Sequence, residues 1–244
     1  MVDRQPVLGR VVAGLLVLAL VLGGAAVALA GVLPGGVRSA LPGADECRVS
    51  VDGADVELTT EEAEDAASRV ADGQVPGALT PAEASAVTAA LSGRAPAALT
   101  CEHGPGYLDD ADDQSLGPQG LTARAAAVRR ELDAAFGRQR VGGFAPGGVS
   151  TGHSAGSAHY EGRAVDVFYR PVSAASRTRG WATAQWLVAH AERLSVRTVI
   201  FDDRIWSSGR SSQGWRDYEV DTSGRDAATA AILEHRDHVH VDVA

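Results

Sequence analysis

The sequence predicts an α+β protein, with a compact domain over residues 121–244. Helical and strand patterns alternate over this stretch. Leu121, Ala125, Val128, Leu132 and Phe136 recur at helical spacing, and Gly137 ends the run. Ala164–Tyr169 alternates as a strand, 179–194 reads as a helix, and Arg197–Phe201 is a second strand. A short helix over 226–234 and an alternating segment His238–Val243 complete the domain.

Ahead of it the chain divides into four parts. Residues 11–33 carry no charge and follow Arg4 and Arg10. About 20 apolar residues span a bilayer as a helix, and flanking arginines favour the cytoplasmic side. Residues 1–33 are therefore expected to be a membrane segment, a single-pass anchor in the cell membrane with everything beyond it extracytoplasmic. Ala28-Leu29-Ala30 also fits a signal cleavage site, and cleavage after Ala30 would give a secreted protein. Residues 34–46, rich in Gly, Pro and Ala, read as a linker, and so do 102–120, which are acidic and Gly-rich.

Between the linkers, residues 47–101 form a small module. Val49, Val51, Val56 and Leu58 alternate around Asp52-Gly53, a hairpin pattern. Thr59 with Glu62 predicts a capping box ahead of a helix over 60–72. Thr80-Pro81-Ala82-Glu83 starts a helix that runs to Leu91. Cys47 and Cys101 bound the module, and in an oxidising compartment they are expected to pair. Such a bridge contributes roughly 4 kcal/mol on the chain-entropy account.

Charge limits the partners. The 244 residues carry a net charge of -9, and all 22 Lys/Arg positions are arginine. An acidic chain of this kind is not expected to bind nucleic acid, whose phosphates call for a basic surface.

The chemistry is concentrated in two segments. In the first, Ser157, His159, Gly162, Ala164 and Asp166 stand in the pattern S-x-H-x-x-G-x-A-x-D. Asp166 falls inside a strand, where a carboxylate is costly to bury unless paired or metal-bound. In the second, Asp237-His238-Val239-His240 puts two imidazoles on one face of a strand. His159, Asp166 and His240 make a nitrogen and oxygen donor set with a fourth position left open, the composition of a catalytic zinc site. Asp237 is placed to accept a proton from the metal's water, and His238 to stabilise an oxyanion.

The paired motifs resemble the zinc D-alanyl-D-alanine carboxypeptidases, which group with the lysostaphin-type endopeptidases and the hedgehog amino-terminal domain. Thr198–Tyr218, with Arg204-Ile205-Trp206 and Gly214-Trp215-Arg216, resembles exported actinobacterial relatives of that group. The resemblance implies a small α+β metallopeptidase domain, built on an antiparallel sheet, with Zn2+ held by His159, Asp166 and His240. It implies Asp237 as general base, His238 beside it, and hydrolysis of peptidoglycan peptides. Arg140 is the candidate for the family's substrate-binding arginine, and Ser157 is a further candidate substrate contact. The hedgehog branch implies an alternative: an inactive, metal-stabilised module that binds cell wall or a partner protein.

Other signals have blander readings. His153 and His235 are expected as outer neighbours of the site or as surface residues, and His190 as structural. Trp206 and Trp215 fit either a ligand groove or the core. Gly152-His153-Ser154-Ala155-Gly156 matches a serine-nucleophile elbow, with Asp202 and His238 following in order. That motif needs a buried strand before the serine and a helix directly after it, and the sequence offers neither.

Overall fold

A computed structural model describes residues 46–51, 54–93, 99–102 and 114–244. The expected anchor, residues 34–45 of the 34–46 linker and most of the 102–120 linker lie outside the described residues; Glu46, expected to end the first linker, instead begins a strand. Among those described, no helix is long and apolar enough to cross a membrane.

The architecture is α+β, with two antiparallel sheets. In the first sheet, β1 (Glu46–Val51) lies between β2 (Ala54–Thr59) and β3 (Leu99–Cys101). Its hairpin register runs from Glu46 opposite Thr59 to Val51 opposite Ala54. Cys47 lies directly opposite Cys101, and the two form a disulfide. Two helices follow β2. In α1 (Thr60–Ala71), Thr59 and Glu62 make the reciprocal capping box; in α2 (Pro81–Leu91), Thr80 and Glu83 do the same.

The second sheet has six strands in the order β4-β5-β9-β6-β7-β8. They are β4 (Val141–Gly142), β5 (Ala164–Phe168), β6 (Val196–Phe201), β7 (Arg204–Ser207), β8 (Arg216–Asp217) and β9 (His238–Val243). Helix α3 (Ala123–Phe136) starts at the Thr122 cap and stops at Gly137, whose φ is 72°. Helix α4 is Ala174–Ala189, earlier at both ends than the apolar pattern suggests. The Ser173 side chain accepts from the Ser176 amide and so sets the start, which hydrophobic spacing does not report. A fifth helix, α5, spans Ala227–Leu233 behind an Asp226 cap.

Alternation divides the two faces of the large sheet. Val165, Val167, Val199, Phe201, Val239 and Val241 point to one side, and all are buried. Trp181, Trp186 and Leu187 of α4 and Val128 and Leu132 of α3 belong to the same core. Each large apolar side chain buried in this way contributes about 1.5–3 kcal/mol. Trp206 and Trp215 belong to the core too, Trp215 donating through Nε1 to Gln185 at 3.2 Å.

The disulfide-closed module shares that core. Val49, Leu58, Val87, Leu91 and Leu99 lie in one hydrophobic cluster with Trp181 and Leu187. The turn after α2 presses on α4 so closely that a Cβ on Gly93 would stand 2.4 Å from Trp181 Cβ. Ala63, Ala66 and Ala67 on α1 are buried but small. They add little apolar volume, and they let α1 lie close against its neighbours.

Candidate metal centre

The opposite face of the large sheet holds the polar cluster. In the register, Asp166 faces His240 and Phe168 faces His238 across β5 and β9, while Ile200 of β6 lies on the other side of His240. The period of two therefore turns Asp166, His238 and His240 to one face, although all three are buried. Next to β5, a single 3-10 turn (Ala158–Glu161) supplies His159. Ser157 caps this turn, its Oγ accepting from the His159 amide at 3.4 Å. Gly162 ends it in the left-handed region, φ 67°, where a Cβ would meet Leu116 Cδ2 at 2.3 Å and the Gly120 carbonyl at 2.6 Å.

Three donor atoms converge. His159 Nε2 is 3.1 Å from His240 Nδ1, and Asp166 Oδ1 is 3.2 Å from each. Ligands placed tetrahedrally around zinc at its usual bond lengths stand about 3.3 Å apart, so this triangle fits the edges of such a site. The outer contacts suit it as well. His159 Nδ1 donates to the Gly143 carbonyl at 2.8 Å, so Nε2 is the ring nitrogen turned inward. His240 Nε2 faces Asp242 Oδ2 at 3.5 Å, leaving Nδ1 inward. A pocket of about 710 Å³ opens over the cluster.

His153 sits closer than the sequence suggests. Its ring stacks on His159 with centroids 3.9 Å apart. Together His153, His159 and Asp166 offer ligand atoms within 4.8 Å of one another, and this group could hold a metal ion. The His159, Asp166 and His240 triangle is the tighter of the two sets, and both share His159 and Asp166. His235 lies on the other flank, its ring centroid 4.6 Å from that of His238. Five of the seven histidines thus meet at this face. His190 lies apart, buried at the C-cap of α4 and donating to the Trp186 carbonyl at 2.9 Å.

The charges are strongly coupled. Burial works against ionisation of Asp166, but hydrogen bonds from His159 and His240 outweigh it and hold its carboxyl far below the usual range. Burial likewise disfavours the charged His240 ring, yet Asp166 and Asp242 push it up to about 9. In the metal-free protein the Asp166–His240 pair therefore stabilises the fold over a defined window. The His240 contribution is complete below its unfolded value of about 6.5 and fades as pH rises through about 9. The Asp166 contribution holds above about 3.9 and is lost as pH falls toward its depressed folded value. Because a metal at Nδ1 requires a neutral ring, a divalent metal bound there would release about one proton at pH 7, with affinity rising up to about pH 9. Titration calorimetry in two buffers of different ionisation enthalpy measures this directly. Identical heats in both buffers would reject the coupling.

Beside the triangle lies a carboxylate–imidazole pair. Asp237 Oδ1 accepts from His238 Nδ1 at 2.6 Å, and His238 Nε2 comes within 3.8 Å of Asp166 Oδ1. The other oxygen, Oδ2, accepts from Arg170 Nε at 2.6 Å. Burial tends to raise the Asp237 carboxyl, but these two partners lower it. Sequence reasoning missed Arg170. The signal was present, since Asp166, Phe168 and Arg170 alternate along one line.

The remaining predicted residues are placed as follows. Ser157 lines the pocket. Arg140 lines a neighbouring cleft instead, and its backbone carbonyl accepts from the Phe168 amide at 2.8 Å. Asp202, the acid of the serine-elbow pattern, is tied to Arg177 at 2.5 Å and to Trp181 Nε1 at 2.9 Å. No strand leads into Ser154, and no α-helix follows it directly. The elbow reading therefore fails on geometry.

Residues 117–232 match the family model described as VldE, C-terminal domain. The VldE-like stretch is a little under half of the chain. It takes in His153, His159, Asp166 and Arg170 and stops before Asp237, His238 and His240. No curated protein and no solved structure matches the chain.

Proposed function

We propose that the chain is a zinc-dependent peptidase acting on peptidoglycan peptides outside the cytoplasm. The observation that carries this reading is the 3.1–3.2 Å triangle of His159, Asp166 and His240, with the Asp237–His238 pair beside it. The Cys47–Cys101 disulfide supports an oxidising, extracytoplasmic setting, in keeping with the apolar run over 11–33.

Bound by those donors, zinc would polarise the scissile carbonyl and lower the pKa of the attacking water toward about 7. The chain's own groups manage the proton. Asp237 fixes the His238 ring with Nδ1–H toward Oδ1, so Nε2 keeps a lone pair on the donor side. Both Asp237 oxygens are engaged, one by His238 and one by Arg170, so the proton from water is taken by His238 Nε2, and the Asp237 carboxylate acts through the ring as the group that holds the resulting cation. The His238 cation formed in this way faces the developing oxyanion, and later gives its proton to the leaving amine.

Digestion of purified peptidoglycan by the full chain, with products identified by mass, tests the reading. Released peptides are expected with zinc, and none with chelator. Asp237→Ala should bind zinc and cleave at least about a hundredfold more slowly. Zinc binding without cleavage by the wild type would replace the peptidase with the metal-stabilised binding module.

A further inference from the structure

A second cleft of about 770 Å³ adjoins the metal pocket, and Phe168 and Arg170 line both. Its wall is built by the ends of α1 and α3, the segment leading into β4, and α4. Four arginines, Arg138, Arg140, Arg170 and Arg179, line it against one acidic residue, Asp72. This concentration is unusual in a chain whose net charge is -9.

Arg170 has its partner in Asp237 and lies over the Phe168 ring at 4.3 Å. Among the described residues, Arg138, Arg140 and Arg179 have no ion-pair partner, and all three side chains are exposed. Guanidinium groups stay charged at any physiological pH, so gathering them on one wall costs repulsion that a bound anion removes. Their planar donor forks suit carboxylates and phosphates, two groups to a ligand oxygen pair.

We propose that this cleft binds the carboxylates of an acidic peptide, holding a part of the chain remote from the bond presented to the metal centre. The assignment of a peptide rests on the peptidase reading; the anion preference rests on the arginines alone. The shared lining at Phe168 and Arg170 lets one extended ligand occupy both spaces. Arg138, Arg140 and Arg179 are thus specificity residues for acidic over neutral peptides.

Fluorescence anisotropy with labelled hexaglutamate and hexaglutamine, on the full chain in chelator, tests the proposal without requiring cleavage. Hexaglutamate is expected to bind, more weakly as salt rises, and hexaglutamine not to bind. Arg138→Gln/Arg140→Gln/Arg179→Gln should weaken hexaglutamate by about tenfold or more while keeping the wild-type circular dichroism. Equal binding of both peptides, unchanged binding by the triple variant, or tighter binding of tripolyphosphate than of hexaglutamate would overturn the proposal. Intact hexaglutamate binding with no peptidoglycan cleavage would instead remove the peptidase reading and leave the anion cleft standing.

Discussion

Gly143→Ala is expected to abolish metal binding at the proposed zinc site while the rest of the fold survives. The residue has φ +81°, a left-handed conformation that costs a side-chain-bearing residue roughly 1–2 kcal/mol. The larger effect is steric. A Cβ there would stand 2.3 Å from His159 Cε1, 2.4 Å from His159 Nδ1 and 2.9 Å from Asp166 Oδ2. Two of the three donor side chains would have to move, and both lie in a packed, buried site. The same glycine supplies the carbonyl that orients His159. Losing such an outer contact alone lowers metal affinity about 10–100-fold, and displacing the donors adds to that. Zinc titration of the variant, with a thermal melt as control, measures both parts. A variant that melted near wild type and bound zinc equally well would show that His159 is not a donor.

Asp166→Asn is the second large effect. The amide keeps the shape but removes the anionic donor and the charge that chiefly raises His240. Zinc affinity should fall by about a hundredfold or more, and peptide cleavage should fall to background. The proton released on binding should also shrink, because His240 would then start closer to neutral at pH 7. Asp242→Asn is the matched comparison. It touches the far nitrogen of His240 at 3.5 Å and donates nothing to the triangle, so a loss of about tenfold is expected. Equal losses from the two substitutions, or none from Asp166→Asn, would count against the assigned donors.

His159, Asp166 and His240 were legible in the sequence because their spacing is local at each end. Gly162 permits a bend between His159 and Asp166, seven positions apart, and strand alternation puts His238 and His240 on one face. The capping boxes at Thr59–Glu62 and Thr80–Glu83 were legible for the same reason. Gly143 was not, because its contact with His159 crosses 16 positions and depends on β4 pairing with β5. The positions of His153 and His235 depend on loop paths that no periodicity records. The module over 47–101 looked self-contained because its hairpin alternates cleanly. Its helices, however, bury mainly alanines on α1, too little apolar volume for an independent core, and Trp181 of α4 lies against it.

Strand order carries a further consequence. β9 lies between β5 and β6, so the strand that carries His240 pairs on one side with the strand that carries Asp166 and on the other with β6. No fragment holding β5 alone, or the β6–β7 hairpin alone, assembles the triangle. An ion bound there is therefore coupled to cooperative opening of the whole sheet, not to fraying of one loop. Amide exchange should slow upon zinc addition not only beside the histidines but at Val165, Val199 and Val241 as well.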